Sequence, residues 1–270
     1  MTLFGRQVVL QLGTEGNPGR SFRDLRVSFR VDMSRTLTAN TCALVAYNLS
    51  PESVALAQQP GAIVRLLAGY DVPRLIFRGN PIRNGVTQTK QGPDRLLQIE
   101  AQDGGRQLAA ARVNVVFKTQ TTLAQVLDEV GRQLGLPTGT IRIDGTAITY
   151  PNGVTLVGPA RDVLDRLALS TSSDFLVRDG ALHVIPSDGD TGEQAIRFSV
   201  AQGNLIGSPK ATDDGIEIVG LLEPSMRPGR PFVVESDGFD GVYVARDVVF
   251  LGDSGWDQAY YVQVRGRPRV

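Results

Sequence analysis

Short stretches in which apolar and polar residues alternate recur in the first and the last third of the chain, and this pattern most constrains the fold. In residues 26–32, RVSFRVD, the side chains of Val27, Phe29 and Val31 fall on one face and polar side chains on the other, which is the two-residue period of a half-buried strand. Four further strand-like runs follow: TCALVAYNL, AIVRLLAGY, RLIFRGN and RLLQIEAQD. They are separated by turn formers at Asp71 to Pro73, Asn80 and Pro81, and Gln91 to Asp94. The first hundred residues are therefore predicted to form one small β barrel or sandwich.

Strands resume near the C-terminal end. The five candidates are IRFSV, GIEIVGLL, RPFVVES, VYVARDVVF and AYYVQVRG. Tyr243, Tyr260 and Tyr261 give these runs the aromatic bulk that suits a pleated surface. The polar, acidic stretch PSDGDTGEQ at 186–194 precedes them and is rich in turn formers. We expect this stretch to be a linker that leads into a second β domain.

The middle of the chain has a helical period instead. Between Thr122 and Leu134 the apolar residues recur every three or four positions. Thr122 and Gln125 match a capping box, and Gly135 supplies the C-terminal stop. A second helix is predicted to begin with Pro159 at its first position, with an apolar face made of Val163, Leu164 and Leu167.

Two local signals complete the secondary-structure prediction. Asp179 and Gly180 separate DFLVR from ALHVI, and this dipeptide accepts the positive φ angles of a tight hairpin turn. Ser50 before Pro51 and Glu52 is typical of a helix N-cap followed by a first-turn proline and acid. A short helix is therefore expected to run to about Gln59.

These patterns predict a mainly β protein with an α/β insert, in which two β-barrel or sandwich domains flank a small α/β domain. The predicted domains are residues 1–112, 113–190 and 191–270. No apolar run approaches the roughly 20 residues that span a bilayer, and the first residues lack the features of a signal peptide. We therefore expect synthesis in a cytoplasm and no membrane-spanning segment.

The charge balance argues against a dedicated nucleic-acid binder. The chain has 28 basic and 28 acidic residues and a formal net charge of zero, so any contact with DNA is expected to be passive. Twenty-five of the basic residues are arginine. Arginine is favoured at protein interfaces because its planar group pairs with carboxylates and stacks, but a GC-rich genome produces the same bias, and the sequence leaves both explanations open.

The candidates for catalysis and metal binding are few. His183 is the single histidine, so a triad or a zinc site would have to include it, yet it lies mid-strand in ALHVI and is expected to be structural. Cys42, the single cysteine, lies in an apolar run and is expected to be a buried, unreactive thiol. Gly104 and Gly105 after Asp103 resemble a turn, because no phosphate-loop pattern follows.

The acidic pairs are also expected to be structural or solvated. Asp128 and Glu129 fall on the polar side of the first long helix, and Asp213 and Asp214 precede a strand in a predicted turn. A third group is the loose set in the linker, expected to be solvated: Asp188, Asp190 and Glu193. The arginines of the RGRPRV tail could touch phosphate or an acidic partner, although a solvated terminus is the expectation; they are Arg265, Arg267 and Arg269. We therefore assign no catalytic, cofactor-binding or metal-binding residue.

Four landmarks along the chain point to a family. They are AYNLSPES at 46–53, LLAGYDVPRLIFRGN at 66–80, NLIGSP at 204–209 and GIEIVGLLEPSMRPG at 215–229. In this order and spacing they resemble the baseplate or tail-tip hub proteins of tailed bacteriophages, a tail-tube-like family shared with contractile secretion and bacteriocin particles. The resemblance covers roughly residues 22–255. The family often has a histidine before the last Gly-Asp, whereas Phe250 and Leu251 stand there in this chain.

The resemblance implies roles for the landmark residues. Asn48 and Ser50 would end a strand and begin the short helix, and Gly69 with Tyr70 would turn one strand toward the next. The later landmarks would shape a loop and a corner; their key residues are Gly207, Pro209, Pro224, Pro228 and Gly229. None of these is a reactive centre.

The resemblance also implies a function without enzymatic activity. Hub proteins form trimers in which two tube-like β domains per chain build a pseudo-six-fold ring around the DNA channel. Such a ring joins the tail tube, or a distal tail protein, to a spike or central fibre at the virion tail tip. Two alternatives remain at this point: a tail-associated cell-wall hydrolase, and a carbohydrate-binding module, for which Trp256 as the single tryptophan gives little support.

Overall fold

The computed structural model describes residues 5–143, 148–255 and 259–269. The N-terminal part is built mainly of strands that pair with their neighbours in sequence. Its elements are β1 (Arg6–Thr14), β2 (Asn17–Phe22), β3 (Val27–Ser34), β4 (Asn40–Tyr47), α1 (Pro51–Gln58), β5 (Ala62–Tyr70), β6 (Arg74–Gln91) and β7 (Asp94–Asp103). The predicted alternation in β3 is confirmed, because Val27, Phe29 and Val31 are buried. Strand β1 was not predicted, yet it buries Val8 and Leu10.

The predicted turn at Asn80 and Pro81 is wrong. β6 continues from Arg74 to Gln91 and changes partner, pairing with β5 as far as Gly79 and with β7 from Asn80 onward. The register shifts between Pro81 and Val86. Such a bulge bends a strand and tolerates a proline that would disrupt a regular ladder. The bend therefore carries β6 from one sheet into the next.

The short helix α1 begins where the sequence predicts. Ser50 is its N-cap and accepts a hydrogen bond from the Ser53 N–H, and Pro51 is the first helical residue. Asn48 closes the preceding strand, because its side chain accepts a hydrogen bond from the Arg95 N–H. Gly69 and Tyr70 belong to the end of β5, and the turn lies at Asp71 and Val72 instead.

The middle part has its own hydrophobic core. Its elements are α2 (Gly105–Ala110), β8 (Arg112–Phe117), β9 (Thr121–Thr122), α3 (Leu123–Leu134), β10 (Thr138–Ile141), β11 (Thr149–Tyr150), β12 (Val154–Pro159), α4 (Ala160–Thr171), β13 (Ser173–Arg178) and β14 (Ala181–Pro186). The capping box of Thr122 with Gln125 is confirmed, and Gly135 is left-handed with φ 68°. α4 begins one residue later than predicted, because Pro159 is its N-cap. We call this part the insert.

The C-terminal part returns to strands. Its elements are β15 (Ile196–Ser199), β16 (Lys210–Thr212), β17 (Gly215–Leu221), β18 (Pro231–Glu235), β19 (Gly241–Asp253) and β20 (Tyr260–Pro268). Asn204 links two of these strands that do not pair with each other. Its side chain accepts from the Ser199 N–H and donates to the Arg197 carbonyl, each at 2.8 Å, while its own carbonyl accepts from the Leu221 N–H. One residue of the NLIGSP landmark thus ties β15 to β17.

The two β parts are joined through one sheet. β3 pairs antiparallel with β19 from Ser28–Asp253 to Ser34–Asp247. Side chains of both parts share one hydrophobic core, in which Val31 and Phe77 of the first part belong to the same cluster as Phe232 and Phe250 of the second. The predicted mainly β fold with an α/β insert is confirmed.

The predicted linker at 186–194 is not freely solvated. Asp190 pairs with Arg269 at 2.9 Å and its side chain is only 10% exposed, and Thr191 is buried. The tail residues from Arg265 to Pro268 likewise belong to β20. Arg265 pairs with Glu217 at 2.7 Å, and Arg267 donates to a carbonyl of the linker. Linker and tail therefore hold each other in place. No helix in the described ranges is long and apolar enough to span a bilayer.

Candidate functional site

His183 lies in β14 as a neutral hydrogen-bond acceptor. The residue is 9% exposed, and its Nδ1 accepts from the Thr140 N–H at 2.9 Å. Burial, with a smaller effect of nearby Arg178, lowers the pKa of His183 to about 4. A neutral imidazole whose Nδ1 accepts from β10 ties two strands of the insert together. The geometry does not place it beside a nucleophile.

The acidic candidates take part in local contacts. Glu129 pairs with Arg132 on α3, and Asp214 pairs with Arg246. Asp128 lies 3.5 Å from the Thr138 hydroxyl. Cys42 is buried in the core, and burial raises the pKa of its thiol. Within the described residues no group of three histidine, cysteine, aspartate or glutamate side chains is arranged to hold a metal ion.

Asp103 is the most unusual carboxylate. It is the last residue of β7 and lies on the buried face of that strand. Its carboxylate accepts hydrogen bonds from the N–H groups of Asp179 at 2.6 Å and Gly180 at 3.0 Å. These two residues form the tight turn between β13 and β14, with φ 54° and 80°. Burial, together with the charge of Asp179, raises the pKa of Asp103 to about 6. The turn predicted at Gly104 and Gly105 is confirmed at Gly104 only, because Gly105 begins α2. Asp103, the last residue of β7, binds the tip of the insert hairpin.

Arg35 holds the same hairpin at its other end. Its side chain is 5% exposed and pairs with Asp174 at 2.5 Å. It also donates to the carbonyls of Gly189 at 2.8 Å and Pro186. Asn40 adds a third contact, because its side chain donates to the Val177 carbonyl at 2.9 Å. The insert is therefore fixed to the first β part through β13, β14 and the residues that follow.

A buried arginine fixes the last landmark. The guanidinium of Arg227 donates to the carbonyls of Pro224 and Met226 and, across the molecule, to Leu75 in β6 at 2.5 Å. Gly229 in the same corner has φ 83°, and a Cβ there would lie 2.6 Å from Ile185 of the insert. The landmark GIEIVGLLEPSMRPG thus marks the place where both β parts and the insert meet.

A broad sheet face remains uncovered. Eight strands lie side by side in the order β16, β17, β20, β19, β3, β4, β7 and the distal half of β6. One face packs on the core, and the other carries polar and aliphatic side chains together with the rings of Tyr47 and Tyr261. Three arginines of the open face are each paired with a carboxylate of the same face: Arg26 with Asp253 at 3.1 Å, Arg30 with Asp32 at 2.6 Å, and Arg265 with Glu217 at 2.7 Å.

Both ends of this sheet are open. In the described part of the chain β16 pairs only with β17, and residues 86–91 of β6 pair only with β7. A two-residue turn at Gly92 and Pro93 joins β6 to β7, so Gln91 and Asp94 form the closing hydrogen-bonded pair. By alternation, the N–H of Gln88 points away from β7 toward the free edge. Unpaired edges of this kind invite another strand.

The sequence analysis missed the residues that fix the insert. Arg35, Asn40 and Asp103 continue the buried face of β3, β4 and β7, since each lies an even number of residues from a buried strand position. A polar residue in the register of an apolar face was the signal that could have found them. The candidate residues weighed from the sequence do not form a shared site: Asp103 accepts from the N–H groups of the Asp179 and Gly180 turn, whereas His183 accepts from the Thr140 N–H of β10.

Solved structures with this fold are phage tail and secretion proteins. The 43 kDa tail protein of prophage MuSo2 from Shewanella oneidensis is 11% identical with a TM-score of 0.70, covering 98% of this chain and 97% of the other. A tail protein from Neisseria meningitidis is 12% identical with a TM-score of 0.65, covering 97% and 96%. A type VI secretion component from Escherichia coli is 13% identical with a TM-score of 0.59, covering 92% and 74%.

No protein-family model matches the sequence, and no curated protein matches it. At these identities the structural likeness establishes a shared fold. The protein therefore has the fold of phage tail proteins and of a secretion component that resembles them, as the landmarks indicated.

Proposed function

We propose that the protein is a structural hub of a phage tail tip or baseplate and not an enzyme. Three copies would form a ring of six β units that joins the tail tube, or a distal tail protein, to a spike or central fibre. The boundaries at residues 112 and 190 between two tube-like β domains and an insert are part of this proposal, with α2 of the first domain packing its Leu108 into the core of the insert. The observation that carries it is the eight-stranded sheet that is open at both ends.

The strand directions favour closure between copies. All seven pairs from β16 to the distal half of β6 are antiparallel, so the first and last of eight strands run in opposite directions. β6 of one copy can therefore meet β16 of the next as another antiparallel pair. Such a head-to-tail contact builds a ring when its rotation closes. Three copies of eight strands would give a barrel of 24 strands, wide enough to leave an open channel.

The uncovered face supports passive passage of DNA through that channel. Arg26, Arg30 and Arg265 are each neutralised by a carboxylate of the same face. Glu100 and Asp247 lie on this face too, outside the ion pairs formed within the described residues, and they outnumber Lys210 of β16, a cation opposite Glu217 that forms no ion pair there. Because nucleic-acid affinity grows with the number of phosphates that free cations neutralise, such a lining would not retain DNA.

The contacts of the candidate residues favour a role without catalysis. His183 and Asp103 are both engaged with backbone N–H groups, and Glu129 and Asp214 are paired with arginines. A virion tail-tip location after synthesis in the host cytoplasm follows from the proposal, and the same ring would suit a contractile secretion particle.

A proline in the free edge tests the ring. Gln88→Pro removes an N–H that points away from β7, so it should block pairing between copies while keeping the ladder inside the chain. Gln88→Ala, which keeps the N–H, is the matched control. The chain is co-expressed with its neighbouring tail proteins, and the rings are counted by electron microscopy.

Gln88→Ala should form rings at the wild-type level and Gln88→Pro should form few or none. Equal ring formation by both variants, with both chains folded by circular dichroism, would rule out assembly through this edge.

A further inference from the structure

The insert contains a two-stranded ribbon with one bare face. β8 and β12 pair antiparallel with each other, and in the described ranges neither pairs with another strand. One face of the ribbon enters the core of the insert, where Val113 and Leu156 are buried. On the other face Val116 is 71% exposed and Val157 is 54% exposed. The register makes these two valines diagonal neighbours, because Val116 lies opposite Thr155.

Both edges of the ribbon are obstructed by side chains. The Gln133 Oε1 from α3 accepts a hydrogen bond from the Asn114 N–H of β8 at 3.0 Å. On the other side the Arg166 Nη2 from α4 donates to the Val157 carbonyl of β12 at 3.1 Å. Strand addition at either edge would have to displace these contacts. A partner of the ribbon would therefore lie across its bare face.

A cationic side chain lies at each end of β8, the strand that contains Val116. Arg112 begins β8 and Lys118 follows its last residue, both exposed, and among the described residues neither has a carboxylate within 4 Å. Leu169 of α4, 83% exposed, lies one helical turn beyond Arg166, whose side chain contacts β12. A small apolar centre with a cationic rim is the arrangement of a protein interface.

We propose that the bare face of the ribbon, with Val116 and Val157 at its centre and Arg112 and Lys118 at its rim, docks another protein of the same particle whose matching surface is apolar at the centre and carries carboxylates at its rim. Two cations beside exposed valines suit a protein surface with carboxylates better than they suit a nucleic acid, because nucleic-acid binding requires many phosphate contacts. This surface is separate from the open edges of the large sheet. The proposal rests on the proposed function only in assuming that the partner belongs to the same particle.

Photo-cross-linking in assembled particles tests this surface. A photoreactive residue is placed at Val116, at Val157 or, as the control, at Val72, which is 67% exposed on the turn after β5. The cross-linked peptides are identified by mass spectrometry, and the amount of the chain in each particle is measured in the same sample. Arg112→Glu combined with Lys118→Glu then tests the rim.

Val116 and Val157 should cross-link to one and the same other tail component, at a peptide that contains aspartate or glutamate, at least about fivefold more than Val72. The double charge reversal should lower that yield by about fivefold or more. Cross-links to DNA, to a second copy of this chain, to a peptide without acids, or none above the control would each overturn the docking surface. Particles that lack the chain altogether would overturn the proposed function instead.

Discussion

Replacement of Asp103 by Asn is expected to make the stability of the protein rise more steeply with pH between about pH 4 and pH 7. Burial raises the pKa of Asp103 from 3.8 to about 6, so the folded chain holds this proton more tightly than the unfolded chain. The contribution of Asp103 to stability is therefore fully present below pH 3.8 and is lost as the pH rises through about 6. Asn removes this titration and keeps the size of the side chain.

His183 has the opposite effect on the pH dependence. Burial lowers its pKa from 6.5 to about 4, so its contribution is fully present above pH 6.5 and is lost as the pH falls toward about 4. Each displacement corresponds to about 3 kcal/mol in the free energy of unfolding. The two contributions nearly cancel in the wild-type chain. Relative to wild type, Asp103→Asn should gain about 2 to 3 kcal/mol from pH 4 to pH 7, and His183→Asn should lose a similar amount.

Urea unfolding at several pH values between about 4 and 7 measures these slopes. His183→Asn is a suitable partner variant because the Asn Oδ1 can replace the acceptor of the Thr140 N–H. All other titrating groups are common to the variants and drop out of the difference. If the wild-type and Asp103→Asn free energies of unfolding run parallel with pH, then Asp103 does not titrate as its burial indicates, and the reasoning is refuted.

Three further substitutions test the contacts described above. Arg35→Ala should destabilise the chain by about 3 to 5 kcal/mol, because it leaves buried acceptors unpaired, and hydrogen exchange should increase first in residues 173–186; unchanged exchange there would contradict its role in docking the insert. Asn204→Ala should cost about 1 to 3 kcal/mol in urea unfolding by leaving the Ser199 N–H and the Arg197 carbonyl unpaired, whereas a loss near zero would show that β15 is held without it. Gly139→Ala should lower the melting temperature, because its Cβ would lie 2.5 Å from the His183 ring; a melting temperature equal to that of wild type would disprove this close packing.

Local signals in the sequence predicted several elements correctly. The two-residue period identified β3 and β4, and the capping box with Gly135 placed α3 because both depend on neighbouring residues alone. The Asp179 and Gly180 turn is confirmed for the same reason. β1 was not predicted because Val8, Val9 and Leu10 are consecutive buried apolar residues, which hides the two-residue period of a strand.

Long-range relations were not accessible from local pattern. The turn formers at Asn80 and Pro81 are compatible with a turn or with a bulge, and only the partners β5 and β7 decide between them. The ion pair between Asp190 and Arg269 joins residues that are far apart in the chain. From the acidic residues around it alone, Asp190 is predicted to be solvated. The register of β3 and β7 places Arg35 and Asp103 on the buried face, but the contacts that they make depend on the docked insert, which no single strand predicts.

Electron microscopy of the particle that contains this chain tests the central claim most directly, through the symmetry of the layer that the chain occupies. The hub proposal predicts a three-fold layer with six β units around an open channel, in which the distal half of β6 from one copy lies beside β16 of the next. A layer position away from the axis, or a chain that stays monomeric beside its co-expressed tail proteins, would contradict it.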